Sequence, residues 1–389
     1  MTFNYYIPTR ILFGCGSLGR LSEETLPGKT ALIVTTNGHS VKKYGYLDRV
    51  EKELAKAGVS YDVYDKVEPN PVTENVEEGA DLARKIGADF LVGLGGGSAI
   101  DAAKAMAVVL ANGGHIWDYT QSGTGKKEMP KKPALPVVAI TTTAGTGTEA
   151  DPWYVITHTA TNEKIGGGFP STFPVLAIVD PELMVSVPSK FTAYQGFDAL
   201  FHSAEGYINK TSYVMSDMYA LKAISLLGKS LPEAVKNGKN LAAREDVALA
   251  NTLAGMVEST SGCTSEHSIA HPMTGFHPSF VHGAALISIS AAYFTYWAKS
   301  GVCGRRLMDM AEALTGKKAA EPMDFVKALV SLQKACGVDD IKMSDFGMKR
   351  EEIPVIAEAA RKTMGGLYEV DPAPITDDDV IHILEESYR

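Results

Sequence analysis

Between residues 30 and 179 short β-branched and apolar runs alternate with stretches whose apolar positions recur at helical spacing. Runs at 31–35, 60–64, 90–94, 137–141 and 175–179 predict strands, and the patterns at 41–57, 72–86 and 99–110 predict helices between them. That alternation predicts an α/β domain with a mostly parallel sheet. Phe90-Leu91-Val92-Gly93-Leu94 is apolar throughout, as a strand covered on both faces must be. After Asp180-Pro181 β-runs become scarce, and long helical patterns follow at 193–209, 215–235, 244–256, 283–297 and 325–335. The expectation is a mostly parallel α/β domain over 1–183 and an all-α domain over 184–389. The lysine-rich stretch 123–132 reads as an exposed loop.

A chain of 389 residues accommodates two such domains. The net charge of −9, spread without blocks of either sign, disfavours a nucleic-acid partner or a membrane surface, both of which call for a basic face. The longest apolar stretch, 284–294, contains two serines and falls far short of the roughly 20 residues that span a bilayer. The opening MTFNYYIPTR lacks the basic start and apolar core of a secretory signal, so a cytoplasmic location is expected. Cys15, Cys263, Cys303 and Cys336 lie far apart without a CxxC pair, which suggests neither a disulfide framework nor a thiolate zinc site.

Gly95-Gly96-Gly97-Ser98 joins the apolar strand 90–94 to the helical pattern that starts at Ala99. Glycines there let a pyrophosphate approach the backbone, where free N–H groups and the helix dipole meet its charge. The spacing is neither GxGxxG nor GxxxxGK[ST]. The segment from Thr141 to Glu149 again follows an apolar strand, and its hydroxyls and glycines suit a ligand crevice at the carboxyl end of a sheet.

Nine histidines in the whole chain predict about 0.4 in a 16-residue window, yet His267, His271, His277 and His282 share one. Asp198 and His202 are four apart in a helical pattern and project from one face, and His267 and His271 repeat that spacing. A carboxylate with several imidazoles is a donor set for Fe(II), Zn(II) or a similar ion.

Taken in order, these segments resemble the iron-containing (group III) alcohol dehydrogenases, which include butanol and 1,3-propanediol dehydrogenases. The resemblance runs nearly end to end, through Phe13-Gly14-Cys15-Gly16, Pro69-Asn70-Pro71, the Gly95–Ser98 cluster with Asp101 and Lys104, and Asp180-Pro181-Glu182-Leu183. It continues through Gly196 to His202, Glu205-Gly206-Tyr207, Glu266 to Pro272, and Val281-His282-Gly283. It implies a dinucleotide-binding domain, a helical domain, and a cleft between them for metal and substrate. The implied metal ligands are Asp198, His202, His267 and His282. The implied cofactor contacts are Asn70, Gly96, Gly97, Ser98, Asp101, Thr141, Thr142, Thr146 and Lys164. A homodimer or higher homo-oligomer is implied as well.

The interval from His271 to His282 is one residue longer than the family pattern and contains His277, a substrate-pocket residue or alternative donor on this reading. The segment Thr35-Thr36-Asn37-Gly38 lacks the acidic residue that would hold a ribose 2′-OH, which leaves room for a 2′-phosphate beside Thr36, Asn37, Ser40 and Lys43 and favours NADP(H) over NAD(H). The expected reaction is hydride transfer between a nicotinamide and a short-chain primary alcohol or its aldehyde, with Fe(II), or Zn(II) or another divalent ion, as Lewis acid. His271 is the expected catalytic proton carrier. Cys263, four residues before His267, would approach the site only in a helical register. The rival readings are a hydroxyacid–oxoacid transhydrogenase or a glycerol-dehydrogenase-like enzyme of the same superfamily.

Overall fold

The computed structural model describes residues 2–389. The chain divides into two compact units, Ile7–Ser186 and Val187–Arg389, the latter joined by the N-terminal residues up to Tyr6.

In the first unit the strands are β1 (Arg10–Phe13), β2 (Thr30–Thr36), β3 (Ser60–Val67), β4 (Phe90–Gly95), β5 (Val137–Thr141), β6 (Trp153–His158), β7 (Glu163–Gly168) and β8 (Leu176–Val179). Six of them form a parallel sheet in the order β1-β8-β5-β4-β2-β3, while β6 and β7 pair as an antiparallel hairpin. The five strands expected from sequence are present, joined by β1 at one edge. The pattern at 41–57 resolves into α1 (Ser40–Lys43) and α2 (Tyr46–Lys56), followed by α3 (Thr73–Ile86) and α4 (Gly97–Asn112).

Alternate residues of the central strands feed two separate cores, which is why those strands read as continuous apolar runs. Leu32, Val34, Leu91 and Val137 pack with Val76, Ala80 and Ala83 of α3 and Met106 of α4. Ala31, Ile33, Val92 and Ile140 pack with Leu47, Val50 and Leu54 of α2. The chain leaves β2 for β3 on one side and returns to β4 on the other, so the carboxyl ends of β2 and β4 flank a topological switch point. At the β3 edge Asp62 and Lys66 are exposed, with Lys42 paired to Asp65 and Lys66 to Glu78.

The second unit is helical: α5 (Ser189–Ile208), α6 (Val214–Lys236), α7 (Leu241–Thr260), α8 (Ser265–Phe276), α9 (His282–Ser300), α10 (Gly304–Thr315), α11 (Met323–Ala335), α12 (Ile353–Met364) and α13 (Asp377–Ser387). Helix α5 packs against α6, α7 and α9 and is buried nearly all round from Thr192 onward, as its low polarity demands. Among the described residues no helix is long and apolar enough to cross a membrane.

Candidate metal and nucleotide sites

The helical unit brings Asp198, His202 and two of the clustered histidines to one point. Asp198 and His202 lie on the same face of α5, His267 in the first turn of α8, and His282 at the first position of α9. Gly283 lets α9 come this close, since a Cβ there would lie 2.2 Å from the carbonyl oxygen of Tyr194 on α5. The Nε2 atoms of His202, His267 and His282 stand 3.8, 3.6 and 3.7 Å from Asp198 Oδ1. Asp198, His202 and His267 are all buried, and Asp198 Oδ1 and His267 Nε2 have no hydrogen-bond partner.

Buried polar atoms left this way cost free energy unless something charged meets them. A divalent cation fits: tetrahedral bonds of about 2.1 Å separate their donors by about 3.4 Å, close to the observed spacings. The donor set, one carboxylate and three imidazoles, suits Fe(II), Zn(II) and similar ions. Glu205, one turn beyond His202 and fully buried, accepts a hydrogen bond from His267 Nδ1. That leaves the lone pair of the neutral imidazole on Nε2, facing Asp198. The other oxygen of Glu205 accepts from the backbone N–H and hydroxyl of Thr264 at 2.8 and 2.9 Å, so the same carboxylate anchors the start of α8. Burial would lower the His267 pKa, but neighbouring Cys263, Glu205 and Asp198 outweigh it and hold the ring well above its ordinary range, so that lone pair is available only when an ion at Nε2 displaces a proton.

In the sequence Glu205 stands out only as part of Glu205-Gly206-Tyr207. Its position three residues after His202, on the face that carries Asp198, is the signal that marks it. His271 is buried and packs edge-on against His282, with ring centroids 5.3 Å apart and planes at 72°. His277 lies apart from the donors, its Nε2 3.3 Å from Glu352. Cys263 precedes α8 rather than riding on it, yet its Sγ lies within 4.8 Å of donor atoms of both His202 and His267.

In the α/β unit Thr36 ends β2 and the Gly95–Ser98 turn ends β4, so both flank the switch point. The first N–H groups of α4 have no intrahelical acceptor and form an anion site by geometry. Gly97 is required by packing as well, because a Cβ there would lie 2.5 Å from Thr146 Cγ2. The Thr142 N–H donates to Gly95 O at 2.9 Å, which holds the 141–146 segment beside the glycine turn, and the Thr141 hydroxyl donates to Thr143 O. Ser98 Oγ donates to Pro69 O at 2.5 Å, and Lys164 Nζ donates to Asn70 Oδ1 at 3.1 Å. Asn37, Ser40 and Lys43 are exposed around the end of β2.

Asp101 is buried, and its two oxygens accept from Thr148 Oγ1 and the Val155 N–H. Burial pushes its carboxyl up to about 6 against the opposing charge of Lys104. Lys104, fully buried, donates to Thr148, Asp151 and the Trp153 carbonyl, so the two residues staple α4 to the 148–155 segment. Asp180 has the corresponding task at the other edge, accepting from the N–H groups of Gly16, Leu18 and Glu182.

The iron-containing alcohol dehydrogenase pattern matches residues 8–181, and the C-terminal pattern of the Fe-containing alcohol dehydrogenase family matches 192–388. Alcohol dehydrogenase 4 of Schizosaccharomyces pombe is 34% identical over 98% of this chain and 88% of its own length. The NAD-dependent methanol dehydrogenase of Bacillus methanolicus is 34% identical over 99% of both chains. The crystal structure of an archaeal halo-thermophilic alcohol dehydrogenase from a Red Sea brine pool superposes with a TM-score of 0.93 at 34% identity, covering 100% of this chain and 99% of that one. With these matches spanning both units, the chain belongs to the iron-containing alcohol dehydrogenase family and is an NAD(P)-dependent oxidoreductase acting on CH–OH groups.

Proposed function

We propose that this enzyme interconverts short-chain primary alcohols and their aldehydes with NADP(H), and that Asp198, His202, His267 and His282 hold a divalent ion, Fe(II) in the first instance. The observation that carries the reading is the convergence of three imidazole nitrogens on Asp198 Oδ1, with Asp198 Oδ1 and His267 Nε2 buried and without a hydrogen-bond partner. When bound, the ion supplies Lewis acidity toward the substrate oxygen. Asp198 brings one negative charge to a set of neutral imidazoles, so a divalent ion keeps net positive charge there. Glu205 fixes the tautomer of His267. His271, buried against His282, is the residue to take the hydroxyl proton during alcohol oxidation, a role open to an imidazole.

Nucleotide binding is assigned to the switch-point turn, with Thr36, Asn37, Ser40, Asn70, Gly96, Gly97, Ser98, Asp101, Thr141, Thr142, Thr146 and Lys164 as its residues. Asp101 also ties α4 to Thr148. The NADP(H) preference rests on the absence of a carboxylate at Thr36, with Asn37, Ser40 and Lys43 exposed beside it. Replacing Thr36 with Asp places a negative charge where a 2′-phosphate would sit, so the ratio of kcat/KM for NADPH over NADH should fall at least tenfold. An unchanged ratio would remove the basis for the preference.

The direct test is to purify the protein anaerobically, load it with Fe(II), and follow NADPH oxidation with short aldehydes beside metal-stripped and NADH controls. Metal-dependent oxidation favouring NADPH supports the reading. Turnover only between a hydroxyacid and an oxoacid, without added nicotinamide, would instead make the enzyme a transhydrogenase.

A further inference from the structure

The metal donors have a second grouping that the four-ligand set leaves out. Cys263 Sγ, His202 and His267 present donor atoms within 4.8 Å of one another, all three residues buried. Two donors of one ion stand at most about 4.4 Å apart, the sum of ordinary metal–sulfur and metal–nitrogen bonds, so the thiol lies near bonding range of an ion on His202 and His267.

The sulfur is placed there by the fold, although it lies outside α8. The backbone carbonyls of Ser261 and Cys263 accept from Asn209 Nδ2 at 2.7 and 3.2 Å, and the next residue, Thr264, is held by Glu205. Asn209 directly follows α5 and Glu205 lies on it, and α5 also carries Asp198 and His202. The 261–264 segment is therefore pinned at two points to the helix that bears two of the four ligands. Glu258 Oε1 stands 3.5 Å from His202 Nε2, the nitrogen that also faces Asp198, and accepts from Cys263 Sγ at 3.7 Å, so the thiol and the imidazole share one carboxylate oxygen.

We propose that Cys263 is an additional, sulfur donor of this metal site, and that it biases the site toward softer divalent ions such as Zn(II) and Co(II) relative to a site of oxygen and nitrogen alone. The proposal rests on the four-ligand reading above.

The test is to load the intact, metal-stripped protein with one equivalent of Co(II) and record its electronic spectrum. The expected result is an intense thiolate-to-cobalt charge-transfer band in the near ultraviolet. Cys263→Ser should abolish it while still binding one Co(II), whereas Cys336→Ser should keep it. Zn(II)/Fe(II) competition followed by elemental analysis should show the Zn:Fe ratio of Cys263→Ser several-fold below wild type. X-ray absorption at the metal edge of the wild-type protein needs no variant and should detect a sulfur scatterer at bonding distance. Cobalt bound with only weak d–d bands and no sulfur scatterer overturns the sulfur donor and leaves the four-ligand reading intact. If the wild type binds no cobalt, both fail.

Discussion

An imidazole has one lone pair to offer when neutral, and the partner of its other nitrogen decides where that lone pair points. At His267 the partner is Glu205, whose removal frees the ring to turn and leaves the Thr264 N–H and hydroxyl without their acceptor. Glu205→Ala should weaken metal affinity about 10- to 100-fold, the usual effect of deleting such a supporting carboxylate, as read by titration against a competing chelator. Asp371 lies further along the same network, accepting from Ser265 and Tyr293 behind Glu205. Burial pushes its carboxyl up to about 7, with hydrogen bonds from Ser265 and Tyr293 opposing and the charge of Glu205 reinforcing the shift. The folded protein thus holds this proton to higher pH than the unfolded chain does, and the stability tied to it falls as pH rises from about 4 to about 7. Asp371→Asn has no such titration, so its stability relative to wild type should improve by a few kcal/mol between pH 4 and 8 in urea unfolding series. The histidines and Asp198 were legible in the sequence because histidine is rare and its clustering stands out. Glu205 was not, since one glutamate in a helix is ordinary until the fold turns its face inward. Asp101 is a cofactor contact by resemblance, and only packing reveals that it is also buried against Thr148.

Lys104 ties an element to its neighbours with a single charge. Its ammonium joins α4 to the Thr148–Trp153 segment, and where burial pushes the carboxyls of Asp101 and Asp151 up, its charge opposes the rise at both. Lys104→Met leaves those two acids without their cation and should cost about 3–5 kcal/mol, measured by denaturant unfolding. The five inner and flanking strands were legible because β-branched runs of that length form little else. Two kinds of element were harder to read. β1 is four residues long, too short to carry a period, and β7 ends in Gly166-Gly167-Gly168, which reads as a loop until β6 supplies a partner. The helix carrying His267 was visible only as an i, i+4 histidine pair, with Pro272 inside it obscuring the pattern.

At the scale of the whole chain the proposed binding tasks fall to different units, since the residues proposed for the nucleotide lie within 7–186 and those proposed for the metal within 187–389. Ligands that bind only the native state stabilise what they bind, by RT ln(1 + [L]/Kd). Hydrogen exchange should therefore respond selectively. Stripping the metal should speed exchange in α5, α8 and the start of α9, while NADPH should slow it at 95–98 and 141–146; uniform changes across both units would contradict the division of tasks. In the sequence the texture switches from alternating to purely helical near residue 181, because a parallel sheet needs returning helices and a helical unit does not.

The charged rim of β3 has a bearing on the life of the chain before and after folding. An open parallel sheet ends in unpaired backbone groups that invite a foreign strand. Any strand that docked along β3 would have to strip water from Asp62 and Lys66 and break the contacts of Lys42 with Asp65 and of Lys66 with Glu78. The opposite edge is only the four residues of β1. The sheet is thus guarded at one margin by charge and at the other by brevity, a protection against amyloid-like stacking that leaves the long inner strands free of any exposed edge.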